Sequence, residues 1–170
     1  LRVGGICDKS ASQFQLEIEN EGVPNMARAI IAVIVSYVIM FILTFLIFTC
    51  VYLAIGADTA FKPGSYDASS LWLAMAVGIS LVVAIIAGFV CAAIARGGRA
   101  PVALAVVVFV LGLLLAIPAL MVQKPNLVRS GNVSNMEAMQ RAKQPIWVPF
   151  AFPFIGAAGV LIGAKLKRRG

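Results

Sequence analysis

Four apolar runs, near residues 27–55, 71–95, 101–122 and 146–164 and charged only at Arg28, leave this chain little choice of architecture. Each reaches or exceeds the roughly 18 residues that an α-helix needs to cross a hydrocarbon layer about 30 Å thick. The runs are apolar on every face. Membrane strands alternate apolar and polar residues over about 10 positions, so helices fit and barrel strands do not. Composition agrees, with 61% hydrophobic and 12% charged residues, proportions foreign to a water-soluble domain. The expected fold is all-α, an integral membrane bundle of four transmembrane helices whose first partner is the lipid bilayer.

The net charge of +7 comes from residues scattered through the loops and the C-terminal "KLKRRG". They are not interleaved with exposed aromatics on a soluble domain, so no nucleic-acid partner is expected. Four crossings put both termini on one side, which collects Arg28, Arg96, Arg99, Lys165, Lys167, Arg168 and Arg169. The other side holds Lys62, Lys124, Arg129, Arg141 and Lys143. Basic residues prefer short cytoplasmic loops. Both termini are therefore expected in the cytoplasm, with the chain in a cell inner membrane.

Residues 1–25 lack a long apolar run and hold four of the seven acidic residues, Asp8, Glu17, Glu19 and Glu21. A secretory signal is not indicated, because the apolar run after Arg28 far exceeds the usual length of about 7 to 15 residues. "MARAIIAVIV" has the shape of a bacterial inner-membrane start. Glu21-Gly22-Val23 can also be encoded by the purine-rich sequence that bacterial ribosomes use, a few nucleotides before the Met26 codon. Residues 1–25 are expected to be a translated leader, with Met26 the true start; a partly helical cytoplasmic tail is the alternative.

The first helix overshoots the hydrocarbon by roughly 10 Å and must tilt or protrude. Phe48, Tyr52, Trp72, Trp147 and Phe150 gather towards one face of the membrane as an aromatic belt. The following "GADTAFKPGSYDASS" offers a turn at Pro63-Gly64 and Asp67, Ser69 or Ser70 as a helix cap. Small residues form stripes, Ala74, Gly78, Ala84, Gly88 and Ala92 on the second helix and Gly156, Gly159 and Gly163 on the fourth. Such stripes let backbones approach closely. They serve either packing of the second helix on the fourth or contact with another protein.

Between the third and fourth helices, Ser134 and Glu137 form a capping-box pattern and Glu137 to Arg141 an ion-pair spacing. Met136 and Met139 share a face with Ala142. A short interfacial helix is expected over about 135–143, ended by Pro145. Pro118, Trp147, Pro149 and Pro153 fall in one leaflet beneath this loop, and prolines there free backbone carbonyls. They mark a candidate outer-leaflet docking surface, with ordinary kinks and a proline-started helix as the plainer reading.

Membrane enzymes and ion-coupled transporters carry ionisable residues within the bilayer. Beyond Arg28 at the edge of the first run, no charged residue lies within the four runs, whose polar groups include Ser36, Tyr37, Thr44, Thr49 and Ser80, all able to bond back to a helix. Histidine is absent, which removes the commonest metal ligand and general base. Cys50 and Cys91 belong near opposite ends of the bundle, too far apart for a disulfide or shared metal. No catalytic residue, cofactor or metal site is expected, and the chain is not expected to be an enzyme.

Three stretches carry a resemblance: "FKPGSYDASSLW" entering the second helix, "CAAIAR" leaving it, and "NMEAMQRAKQPIWVPF" entering the fourth. Through them the chain resembles a group of uncharacterised small bacterial inner-membrane proteins with four transmembrane helices. The resemblance covers most of residues 26–170 and implies location and topology, with no established activity. The expected role is that of a non-enzymatic structural or accessory subunit, packing against other membrane-protein subunits in a larger complex. The alternative is self-association into a homo-oligomeric channel or small-solute carrier, which needs a polar path that the spans scarcely supply.

Overall fold

The computed structural model describes the backbone of residues 4–96, 99–121 and 133–169, with side chains from Met26 onward except 119–121 and 169. Six helices lie among the described residues: α1 (Gly4–Ile55), α2 (Ala57–Ala60), α3 (Ser70–Ala95), α4 (Ala100–Met121), α5 (Asn135–Arg141) and α6 (Val148–Arg169). Four stretches are long and apolar enough to cross a membrane, Met26–Ile55, Ser70–Ala95, Ala100–Pro118 and Val148–Arg168. The protein is an all-α, multi-pass membrane protein.

The backbone of α1 runs through Met26 without a break. That helix is continuous over 52 residues. Helix α6 starts at Val148, after the 146 expected, and runs past 164 to Arg169, because its basic tail continues the helix. Ser69 is the residue that starts α3, its hydroxyl accepting from the Trp72 N–H at 3.1 Å and donating to the Thr59 carbonyl at 2.6 Å. Pro101 occupies the first turn of α4, where its missing N–H costs nothing.

Helix α3 is the hub, touching α1, α4 and α6. A Cβ on Gly88 would fall on the Val160 carbonyl, and one on Gly163 would fall on the Ile85 carbonyl. At Gly159 it would lie 2.6 Å from the Ala84 Cβ. Backbone touches backbone there. Along α6, Gly159 meets Leu81 and Ala84, Gly163 meets Ile85 and Phe89, and the Lys167 ammonium lies over the Phe89 ring, so α3 and α6 run in the same direction. Helix α4 opposes α6, with Gly112 against Pro153 and Gly156 against Val108. Helix α1 opposes α3: the Arg28 Nε donates to the Ile94 carbonyl at 2.9 Å at one end, and Phe48 and Tyr52 meet Trp72 at the other. The first of these we call the hairpin end and the second the cap end.

Ala84, Gly88 and Ala92 are buried, as are Gly156, Gly159 and Gly163. Ala74 and Gly78, expected on the same stripe, are exposed, and a Cβ on Gly78 would meet nothing within 4 Å. At that level α6 has turned towards α4, where Pro153 packs on Gly112. The core between the helices is apolar, built around Leu104, Val160, Ala84 and Cys91. Ser36 is the exception, fully buried beside the Cys91 thiol and meeting no oxygen or nitrogen partner.

Candidate functional site

Helix α1 breaks at Gly56, whose φ of +74° is a conformation glycine adopts freely. The chain then folds back on itself, with Phe61 bridged to Ala68 and the Ser69 N–H donating to the Ala60 carbonyl at 2.9 Å. This loop is stitched to a distant one. The Ala68 N–H donates to the Lys143 carbonyl at 2.9 Å, and the Lys143 N–H to the Tyr66 carbonyl at 2.8 Å. Together the two loops and α5 make a cap over one end of the bundle.

Helix α5 is shorter than expected, ending at Arg141 with Ala142 as its C-cap. Ser134 starts it, accepting from the Glu137 N–H at 3.3 Å. The Glu137 carboxylate completes no capping box; it accepts from the Tyr66 hydroxyl at 2.8 Å and pairs with Arg141 at 3.0 Å. Met136 and Met139 are 63% and 55% exposed while Ala138 is buried, because a small side chain lets α5 settle on the rings of Tyr52 and Phe61. The Asn135 Nδ2 donates to the Thr49 Oγ1 at 3.2 Å and the Tyr52 hydroxyl to the Val133 carbonyl at 2.9 Å, fixing α5 to α1.

Most of the expected aromatic belt is instead the core of this cap. Phe48, Tyr52, Phe61, Tyr66 and Trp72 pack edge to face with ring centroids 5.7 to 6.4 Å apart, the arrangement aromatic quadrupoles favour. Replacing Tyr66 with phenylalanine removes the hydroxyl that joins Glu137 to the loop. Both charged partners are partly exposed, so the expected cost is about 1 to 2 kcal/mol. A lower chemical-unfolding midpoint in detergent, followed by tryptophan fluorescence, checks it.

Beneath α5 lies a half-open cavity of about 370 Å³. Phe41, Thr44, Phe45, Phe48, Thr49 and Tyr52 form its α1 wall. Asn135, Ala138 and Met139 face them from α5, with Trp72 and Gln144 at the cap end. The α1 residues recur three and four apart, the spacing of a single helical face. That periodicity was available in the sequence, but the opposite wall comes from a loop remote in the chain.

The lining carries no group charged at neutral pH. Its polar side-chain groups are two threonine hydroxyls, two amides, the Tyr52 hydroxyl and the Trp72 indole N–H, and Thr44 already donates to the Met40 carbonyl at 2.7 Å. Such a cavity can hold an apolar chain and hydrogen-bond an uncharged polar group at one end. Among the described residues no three His, Cys, Asp or Glu side chains gather as a metal would require. Cys50 is exposed and Cys91 buried, both as free thiols.

Pro118, Trp147, Pro149 and Pro153 do not form one exposed surface. Pro118 and Trp147 are exposed and Pro149 half-buried, but Pro153 is buried against Gly112 in the α4–α6 contact. None of the four lines the cavity. No family model, curated protein or solved structure matches the chain. Function therefore rests on the chemistry of the bundle and its cap.

Proposed function

We propose that this protein is a non-enzymatic structural or accessory subunit of the bacterial inner membrane, packing against other membrane proteins in a larger complex. The carrying observation is the outlying position of α1. Only 11% of its most apolar stretch is buried, against 33% to 39% for the other three spans. Ile30, Ile34, Val38 and Phe41 leave an apolar face for lipid or a neighbouring helix. The closed, apolar interior supports packing over transport: Ser36 is the one buried polar side chain among the described residues. A polar path for the alternative channel or carrier would have to arise between copies.

Gentle detergent extraction followed by identification of co-migrating proteins tests this reading. Other membrane proteins in constant proportion are expected. Recovery of this chain alone, as a defined homo-oligomer, overturns the accessory role in favour of self-association.

The proposed orientation places the hairpin end and both termini in the cytoplasm. In a chain with its three native cysteines replaced, a single cysteine at Lys62 should react with an impermeant thiol reagent added to intact cells. One at Arg99 should react only after the membrane is opened. Both side chains are exposed, so the reverse pattern inverts the topology.

A further inference from the structure

The cavity beneath α5 has a direction. Its deeper part is walled by Phe41, Phe45 and Phe48, and the one hydroxyl there, on Thr44, is already engaged with its own helix. Its cap-side part presents Thr49, Asn135 and Gln144. Phe41 and Phe45 are 68% and 48% exposed on a membrane-spanning stretch. The mouth thus opens sideways at hydrocarbon depth, where the surrounding medium is lipid. From Phe41 to Tyr52 the α1 wall rises about 16 Å. That is close to half of a hydrocarbon layer about 30 Å thick, which is the depth of one leaflet.

We propose that this cavity is a binding site for one acyl chain of a membrane phospholipid, taken from the leaflet at the cap end. The chain lies along the phenylalanine wall, and its ester carbonyl accepts hydrogen bonds from the amides of Asn135 and Gln144. Length, polarity gradient and the lateral mouth agree on an amphiphile that enters from the bilayer. A side chain from a partner helix would use the apolar part and leave unmatched the Gln144 amide and the Asn135 N–H that does not reach Thr49. Because the lining is uncharged, the site selects for the chain and its ester linkage and is indifferent to headgroup charge. This site does not depend on the accessory-subunit reading, since a subunit or a channel could each hold a lipid here.

The chain has two tryptophans, and Trp72 lines the cavity while Trp147 is exposed away from it. A Trp147→Phe protein therefore reports from the cavity alone. In phosphatidylcholine vesicles whose acyl chains carry bromine, Trp72 fluorescence should be strongly quenched. Brominated phosphatidylglycerol should quench it equally. Adding Thr44→Phe, which fills the cavity, should remove most of the quenching while circular dichroism stays unchanged.

A second measurement covers the case in which the filled variant fails to fold. Phosphatidylcholine bearing a photoactivatable acyl chain should label the otherwise unaltered protein within residues 41–52 and 135–144. Absent quenching of Trp72, quenching that survives Thr44→Phe in a folded protein, or photolabel spread evenly over the lipid-facing helices would each overturn the site. Co-migrating proteins are not needed for any of these readouts, so failure here is distinguishable from failure of the accessory role.

Discussion

Replacing Gly163 with leucine is expected to destabilise the bundle by about 3 kcal/mol or more, the upper end of the cost of overpacking. A flexible neighbour could swing away from a new side chain, but here the obstacle is the Ile85 carbonyl, part of α3 itself. The helices must separate. Gly88→Leu should act alike through the Val160 carbonyl. Gly78→Leu is the control, since that position opens on empty space, and Gly78→Ala should stabilise by up to about 1 kcal/mol through helix propensity. Unfolding in detergent followed by circular dichroism measures all four. Equal stability of the Gly163 and Gly78 leucine variants would refute the close contact of α3 with α6.

Tyr52→Ala should loosen the cap as a unit, at a cost of about 3 to 5 kcal/mol, the range for emptying a buried aromatic site. The ring packs against both Phe61 and Trp72, and its hydroxyl holds the Val133 carbonyl just before α5. With it gone, α5 loses part of its seat and one of its tethers. Faster tryptic cleavage at Arg141 and Lys143, with a shift of Trp72 emission towards that of a hydrated ring, is the expected readout. Tyr52→Phe keeps the packing and loses one hydrogen bond, so it should cost only about 1 kcal/mol. A cap that stays protease-resistant in Tyr52→Ala would be held by the remaining contacts instead, the Asn135–Thr49 and Tyr66–Glu137 hydrogen bonds and the backbone bridge between Asp67 and Lys143.

What could be foreseen here, and what could not, divides along sequence distance. The spans were legible because crossing a bilayer demands a long apolar run that no other fold needs. Ser134 was legible as a cap, and Ser69 as one of three candidates, because capping acts over three residues. Gly88 and Gly163 were visible as small residues, yet their stripe continued to Ala74 and Gly78, which face outward, because the path of a neighbouring helix leaves no mark on this one. The cap was the least legible part. Asp67 meets Lys143 through backbone atoms that every residue carries, and Phe48, Tyr52 and Trp72 have the same composition whether they face headgroups or one another. The cavity inherits that obscurity, since its two walls meet only after the cap has formed.

The shared direction of α3 and α6 has an electrostatic consequence. Each helix ends with about half a negative charge from its unpaired carbonyls, and running side by side in the same sense brings both such ends to the hairpin end. Two aligned macrodipoles in a medium of low permittivity repel, where an antiparallel pair would attract. The basic residues at that end answer this repulsion. The Arg28 guanidinium sits on the Ile94 carbonyl in the last turn of α3, and Lys165, Lys167 and Arg168 occupy the final turns of α6. Side chains that look in the sequence like markers of membrane orientation therefore also neutralise a cost built into the helix arrangement, so changing their charge would alter the cohesion of the pair as well as its sidedness.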